Sequence, residues 1–324
     1  MNSSFGVDGD RRAFLRRSLA GGCTAVAASL GLGEVHAQAR ETAATRMDLG
    51  EPSNTARGAA LQRALHQVID FPRVLEDPLA LSILGPLAAN ELQAAVDRRN
   101  AGLRASIVMR SRYAEDRLAM AVAQGVRQYV ILGAGLDTFA YRNPHAEVGL
   151  RVFEVDHPAT QRFKRERLGR AGIDRAPGMT FVPIDFETQT LSEQLTGAGF
   201  RFDQPAYFSM LGVVIYLSDE AVMETMRMVT SCGAGSEIVF SFSVTDELLT
   251  ESQQSSRERT MARLAAQGEP WVTFYEPATL AEALRARGFS AAEVFAPPEA
   301  NRTYFADRKD GLRVSTGHMM SARV

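Results

Sequence analysis

The clearest indication of the fold is the stretch Tyr129-Val130-Ile131-Leu132-Gly133-Ala134-Gly135-Leu136-Asp137-Thr138. Its first four residues are apolar and predict a short buried strand, and the glycines that follow predict a tight turn. In a sheet of parallel strands, such a turn lies at the carboxyl end of the first strand, where nucleotide-like ligands bind. Gly133 and Gly135 are therefore candidate ligand-binding residues, and a purely structural turn is the alternative.

Short apolar runs rich in β-branched and aromatic residues recur after this stretch and predict further strands. They occupy residues 152–155, 180–184, 206–208, 238–242, 291–295 and 318–324. Helical patterns separate them, at residues 159–168, 191–195, 219–229, 247–267 and 277–287. This alternation predicts an α/β fold with a mostly parallel sheet of about seven strands, helices on both faces and one antiparallel edge. Residues 57–124 show helical spacing and predict an N-terminal helical extension.

The first 39 residues predict a signal peptide. A charged segment at residues 10–17 precedes a small, mildly apolar segment at 18–33 and an Ala37-Gln38-Ala39 cleavage pattern. The pair Arg11-Arg12 is typical of twin-arginine (Tat) signals, which are used by proteins exported in the folded state. A chance Arg-rich amphipathic N-terminus is the alternative.

We accordingly divide the chain into a Tat-type signal at 1–39, a polar linker at 40–56 and one domain at 57–324. The expected location is periplasmic or secreted, with the Tat translocon as a partner during export; an unused signal would leave the protein in the cytoplasm. Cleavage after Ala39 would leave Cys232 as the single cysteine, so no disulfide is expected within the mature chain.

Composition excludes several classes of function. The 324 residues are 45% hydrophobic and 23% charged, with a net charge of -2, as in ordinary globular proteins. Because 36 basic residues balance 38 acidic ones, no nucleic-acid partner is expected. The N-terminal apolar run is too short and too rich in glycine for a membrane span. The sequence lacks H-x-x-x-H, C-x-x-C and G-x-S-x-G patterns, so neither a metal site nor a serine hydrolase is expected.

The acidic residues of the glycine loop and of the next strand narrow the range of ligands that this site could bind. A dinucleotide fingerprint would have a third glycine where this chain has Thr138, and the Asp137 carboxylate would repel a pyrophosphate. A phosphate-free cation with ribose hydroxyls, such as S-adenosyl-L-methionine, fits this loop better. Asp156 ends the second predicted strand, where a carboxylate can accept both ribose hydroxyls; a helix-capping acid before Pro158 is the alternative.

Two further positions are candidate contacts of the same ligand. Asp185 and Phe186 follow the third predicted strand, where a carboxylate and a ring can bind the adenine; an N-cap beside a core aromatic is the alternative. Arg110 and Arg112 offer guanidinium groups, one of which could pair with the carboxylate of a methionine moiety. Taken alone, the two arginines are better explained by a solvated helix face.

The motifs together resemble the leucine carboxyl methyltransferase-like family, which includes bacterial methyltransferases of the polyketide O-methyltransferase type. The resemblance rests on residues 130–142, Phe153 to Pro158 and Val182 to Phe186, and it extends over about 53–324. It implies a class I methyltransferase (Rossmann-like) fold and S-adenosyl-L-methionine as cofactor. It also implies a cofactor site whose residues are Arg110, Gly133, Asp137, Asp156, Asp185 and Phe186.

The predicted activity is O-methylation of a carboxylate or hydroxyl on a small molecule, a polyketide-like compound or a peptide. Tyr216, His157 and Tyr304 are candidates for the acceptor side, with Tyr216 the candidate catalytic residue. A helix-capping or solvent role is favoured for His157, and core packing is an equal alternative for Tyr216. Two alternatives remain. One is an exported, non-catalytic binding protein, favoured by the signal and by Leu211, where many members of the family have glutamate. The other is a nicotinamide-dependent oxidoreductase, against which Asp137 and Thr138 argue.

Overall fold

The computed structural model describes residues 54–85, 93, 96, 101–185 and 189–324. The described helices are α1 (Asn54–Ile69), α2 (Ala80–Leu84), α3 (Ala101–Ala123), α4 (Pro158–Arg170), α5 (Leu191–Gly197), α6 (Asp219–Thr230), α7 (Glu251–Ala265), α8 (Pro277–Arg285) and α9 (Pro297–Tyr304). The strands are β1 (Gln128–Leu132), β2 (Arg151–Asp156), β3 (Met179–Pro183), β4 (Tyr207–Met210), β5 (Glu237–Phe242), β6 (Ala291–Phe295) and β7 (His318–Arg323). Short 3-10 turns occupy Phe139–Tyr141, Val214–Tyr216 and Asp246–Leu248.

The seven strands form one sheet in the order β3-β2-β1-β4-β5-β7-β6. Strands β1 to β5 pair in parallel, and Leu132 lies between Val155 of β2 and Met210 of β4. Strand β7 is antiparallel to both of its neighbours, β5 and β6. The predicted fold class is therefore confirmed. Strand order reverses at β1, so the crevice where ligands bind in such sheets opens beside the carboxyl end of β1.

Alternating side chains of the central strands supply two cores, one on each face of the sheet. Val130 and Phe208 belong to the core covered by α5, α6 and α8, whereas Ile131 and Tyr207 belong to the core covered by α3. Burial on both faces explains why the strands appear in the sequence as continuous apolar runs. The buried strands thus hold the loops that follow β1, β2 and β4 together at the carboxyl end of the sheet.

The N-terminal helices pack directly on the glycine loop. Ala60 and Ala64 of α1 join Ile83 of α2 in a small core that includes Leu136 of the loop and Leu168 of α4. Helix α1 begins at Asn54, so the last three residues of the predicted linker 40–56 are helical. The sequence-based boundary was late because a distant side chain, described below, caps this helix.

The predicted signal at 1–39 and most of the predicted linker lie outside the described residues. Within the described part of the chain, no helix combines the length and the apolar character needed to cross a membrane. Cys232 is a buried free thiol.

Candidate functional site

The glycine loop leaves β1 at the sheet edge in a conformation that glycine favours. Gly133 and Gly135 have φ angles of 70° and 48°, in the left-handed region. A Cβ at Gly133 would collide with the Val213 side chain, and one at Gly135 would lie 3.1 Å from the Ala56 Cβ of α1. Backbone torsion and close packing therefore both require glycine here, and α1 lies directly against the loop.

Asp156, the last residue of β2, binds the loop through its carboxylate. Its Oδ2 accepts a hydrogen bond from the Gly135 amide at 2.5 Å, and its Oδ1 accepts one from the His157 amide at 2.7 Å. Burial raises the pKa of Asp156, and the two amide donors oppose that rise. The residue is half-buried, so the carboxylate is held in a defined orientation at the opening of the crevice.

Asp137 shapes the end of the loop. Its Oδ1 accepts a hydrogen bond from the Phe139 amide at 2.7 Å, which leads the chain into the 3-10 turn Phe139–Tyr141. A dinucleotide site of the Rossmann type needs an α-helix to begin directly after the glycines, with its N-terminus toward the pyrophosphate. In the described part of the chain, the next α-helix after the loop is α4, beyond β2. This connection disfavours a dinucleotide.

Thr138, at the position of the third glycine in a dinucleotide motif, binds a buried carboxylate. Its hydroxyl donates a hydrogen bond of 2.6 Å to Asp77 Oδ1, and Arg63 Nε of α1 lies 3.0 Å from Asp77 Oδ2. The same guanidinium donates through Nη2 to the Leu136 carbonyl at 2.6 Å. Asp77 is fully buried, so these donors satisfy a carboxylate that would otherwise be costly to bury. The network joins the N-terminal helices to the loop.

Arg110 of α3 lies on the opposite side of the crevice, against the loop that follows β4. A Cβ added to Gly212 would lie only 2.5 Å from Arg110 Nη1. Burial, together with the charge of Arg63, lowers the pKa of Arg110 to about 10, so it remains a cation at neutral pH. Among the described residues, no carboxylate forms an ion pair with it, although the charge of Asp137 acts on it. Arg112, the alternative in the sequence, instead pairs with Asp116 at 2.8 Å on an exposed helix face.

Tyr216 lies at the end of the 3-10 turn after β4, in contact with two distant segments. Its hydroxyl accepts a hydrogen bond of 3.4 Å from Trp271 Nε1 and also interacts with Thr55 of α1. Burial raises the pKa of Tyr216. A neutral phenol is a poor base, so this geometry favours binding and orientation over proton abstraction at Tyr216.

Glu269 and Trp271 belong to a segment that contacts both α1 and the turn bearing Tyr216, and the sequence alone assigned no role to either residue. The Glu269 carboxylate accepts hydrogen bonds from the amides of Asn54 and Thr55, at 3.0 and 3.2 Å. The Val272 amide donates to the Ile215 carbonyl at 2.7 Å, which fixes the segment on the turn bearing Tyr216. These contacts join residues more than 50 positions apart, and no local pattern in the sequence signals them.

The remaining predicted residues, where they are described, lie in different parts of the structure. Asp185 follows β3 at the same sheet edge, and its amide donates to Gln189 at 3.0 Å. Phe186 lies outside the described residues. His157 caps α4 by accepting from the Ala159 amide at 3.2 Å. Tyr304 donates to Asp116 at 2.7 Å and packs on Phe295 of the edge strand β6, away from Tyr216. In the described ranges, no cluster of three or more His, Cys, Asp or Glu side chains suits a metal ion.

Comparison with known proteins identifies the family of this chain. The sequence profile of the family described as leucine carboxyl methyltransferase matches residues 56–230, more than half of the chain. The chain belongs to the leucine carboxyl methyltransferase family. The family predicted from the sequence motifs is therefore confirmed, and with it the class of reaction, methyl transfer.

Individual relatives agree with this assignment. The "Putative S-adenosyl-L-methionine-dependent methyltransferase YktD" of Bacillus subtilis (strain 168) is 32% identical over 293 residues, covering 82% of this chain and 95% of its own length. A Frankia alni protein with the same description, FRAAL3718, is 35% identical over 195 residues, covering 57% of this chain and 67% of its own length. A crystal structure from Thermobifida fusca YX, reported as a "putative methyltransferase", has a TM-score of 0.53 at 18% identity and covers 86% of this chain and 96% of its own. That likeness supports the fold.

Proposed function

We propose that this member of the leucine carboxyl methyltransferase family is an S-adenosyl-L-methionine-dependent O-methyltransferase. The observation that carries the proposal is the pairing of two opposite charges across one crevice: the oriented Asp156 carboxylate and the Arg110 cation, with the glycine loop between them. A carboxylate suits the ribose hydroxyls, and a guanidinium suits the carboxylate of the methionine moiety. The relatives named above carry the same cofactor in their descriptions.

The residues of this chain would hold the cofactor from several elements. Asp156 would accept the ribose hydroxyls, Arg110 would bind the amino-acid carboxylate, and Asp137 would supply negative charge near the cationic part of the ligand. Gly133 and Gly135 allow the loop to turn tightly beside the site. When bound, S-adenosyl-L-methionine supplies an electrophilic methyl group on a sulfonium. The protein contributes alignment of donor and acceptor in a pocket from which water is excluded.

A carboxylate is the acceptor that the site supports best. A carboxylate oxygen attacks without losing a proton, whereas a neutral hydroxyl must transfer its proton to a base. Burial raises the pKa of Tyr216 further above neutral pH and so disfavours the phenolate form that a Tyr216 base would need. We therefore propose that Tyr216 and Trp271 orient the acceptor, a carboxylate on a small molecule or a peptide. Tyr216→Phe is expected to retain turnover of such an acceptor.

Calorimetric titration of the purified full-length chain with S-adenosyl-L-methionine and S-adenosyl-L-homocysteine tests the cofactor. We expect micromolar binding, lost in Asp156→Ala and retained in Asp203→Ala, which alters an exposed aspartate paired with Arg201. A panel of carboxylates and phenols, with release of S-adenosyl-L-homocysteine as the readout, then tests the acceptor. A folded protein without cofactor binding would refute the proposal. Tight binding without turnover of any acceptor would favour the non-catalytic binding protein.

We also propose that the protein is exported through the Tat pathway, on the sequence evidence of residues 10–39. The test is cell fractionation of the intact chain and of the variant Arg11→Lys/Arg12→Lys. Export that depends on the arginine pair would support the proposal. Equal cytoplasmic retention of both forms would refute it.

A further inference from the structure

A fully buried ion pair lies behind the candidate ribose site. Glu154 of β2 is 0% exposed and Lys164 of α4 is 1% exposed, and Lys164 Nζ lies 2.7 Å from Glu154 Oε2. A buried ion pair is weak evidence for stability, because the free energy needed to remove two charges from water can exceed their mutual attraction. The effect of these charges on neighbouring groups is therefore the more informative property of the pair.

The choice of lysine here is unusual for this chain. Of the 36 basic residues, only Lys164 and Lys309 are lysines. A lysine ammonium is a compact point charge that fits a small buried space, whereas a guanidinium needs room for a planar fork with five donors. Apart from its contact with Glu154, Lys164 Nζ has no hydrogen-bond partner among the described residues; it lies 5.6 Å from the centroid of the Tyr141 ring. Glu154 is therefore the one acceptor among the described residues that contacts the Lys164 ammonium.

Asp156 is the neighbour on which this charge acts. Glu154 and Asp156 are two positions apart on β2, so their side chains leave the same face of the strand, and α4 packs beside that face. The carboxylate of Asp156 must be ionised to accept both amide hydrogen bonds and the ribose hydroxyls. Burial raises the pKa of Asp156, and the positive charge of Lys164 lowers it.

Other titratable groups lie on the elements that adjoin Asp156. Glu154 and His157 belong to its own strand and the residue that follows, Asp137 belongs to the loop after β1, and Asp185 follows β3. Three of these four are carboxylates, and the charge of Asp137 also raises the pKa of Glu154. Lys164 is the buried cation that offsets this concentration of negative charge.

We propose that Lys164 is a positioning residue for the cofactor: its buried charge, held in place by Glu154, keeps Asp156 ionised, the state in which the carboxylate accepts the loop amides and the ribose hydroxyls. This inference rests on the proposed function, because it takes Asp156 as the ribose-binding group. Because Lys164 is only 1% exposed, it would act through Asp156 and not by direct contact with a ligand.

Two variants that both lack the Glu154 carboxylate isolate the effect of the lysine charge. They are Glu154→Gln and Glu154→Gln/Lys164→Met, which differ only at residue 164, where the second variant lacks the positive charge. In each, the pKa of Asp156 is measured from the ¹³Cγ shift in ligand-free protein labelled at aspartate, with Asp156→Asn to assign the signal. We expect a value about one pH unit higher in the double variant, as for a carboxylate that loses a nearby cation. The acid limb of S-adenosyl-L-methionine binding should move in the same direction.

A second uncharged variant guards against misfolding. Glu154→Gln/Lys164→Gln replaces the methionine variant if the latter does not fold. Coincident pKa values of Asp156 in the charged and uncharged variants would overturn the inference, even if all variants lose stability. If the values differ but the wild-type protein binds no S-adenosyl-L-methionine, the proposed function fails while the electrostatic relationship holds.

Discussion

Glu269 and Asn54 are 215 positions apart, and the carboxylate of the first accepts a 3.0 Å hydrogen bond from the amide of the second. The contact makes Glu269 the cap of α1, whose first-turn amides have no partners within the helix. Because Ala56 of the same turn packs on Gly135 and Thr55 interacts with Tyr216, the cap also fixes one wall of the candidate site. Folding of α1 and formation of the crevice are thereby coupled.

Removing this cap should weaken both the fold and the site. We expect Glu269→Ala to lower the free energy of unfolding by about 1 kcal/mol, the usual contribution of an N-cap. We also expect it to weaken S-adenosyl-L-methionine binding, because α1 would no longer be held against the glycine loop. Urea denaturation and calorimetry measure the two effects. Glu258→Ala, on the exposed face of α7, is the matched control; equal behaviour of the two variants would contradict the coupling.

Arg110 should recognise one part of the cofactor. Replacement by methionine removes a charge-assisted contact of about 1.5–3 kcal/mol, which corresponds to roughly a 10- to 100-fold loss of affinity for S-adenosyl-L-homocysteine. Binding of 5′-methylthioadenosine, which lacks the amino-acid carboxylate, should be unchanged. Arg112→Met removes a guanidinium two residues away that pairs with Asp116, and it should change neither affinity. An equal loss for both ligands in Arg110→Met would exclude the assigned role.

Thr138 should act through Asp77 and not through a ligand. Thr138→Val leaves the buried carboxylate short of one donor and should lower the free energy of unfolding by about 1–3 kcal/mol. Thr138→Ser keeps the hydroxyl and should recover most of that loss. Thr138→Gly completes the dinucleotide spacing but should not confer NADH binding, because α4 does not follow the loop directly. NADH fluorescence titration of that variant gives the decisive result, and binding would reopen the oxidoreductase alternative.

Asp70 should contribute to the acid sensitivity of the fold. Burial disfavours its ionised form, but hydrogen bonds from His66 and Arg104 outweigh that effect and lower the pKa of Asp70 below the ordinary value of an aspartate. A carboxyl whose pKa is lower in the folded than in the unfolded state stabilises the protein above the unfolded value, and this contribution is lost as the pH falls through the folded value.

Asp70→Asn should therefore be less stable than wild type at pH 7, and the difference should shrink toward pH 3. Urea denaturation at both pH values measures it. Asp203→Asn, in an exposed pair, serves as the control because solvent screens such pairs. A constant difference between wild type and Asp70→Asn across this range would mean that ionisation of Asp70 does not stabilise the fold.

Local patterns in the sequence were enough to predict the sheet and the end of it at which the candidate site residues lie. The seven apolar runs, the glycines after β1 and the carboxylate at the end of β2 each follow from the chemistry of a few consecutive residues, since strands buried on both faces must be apolar and a tight turn needs glycine. Parallel strands then bring their carboxyl ends to one edge, so Gly135 and Asp156 meet there. The start of α1 was predicted three residues late, because its cap comes from Glu269.

Tertiary structure alone decided the contacts between distant segments. Whether Arg110 or Arg112 faces the crevice depends on the rotation of α3 against the sheet, and the spacing of two arginines on one helix does not specify it. The bond between Thr138 and Asp77, the placement of Trp271 on Tyr216 and the burial of Lys164 beside Glu154 likewise depend on packing between elements. The sequence by itself determined which elements form and where their ends meet; only packing in three dimensions determined which charges lie together at that edge.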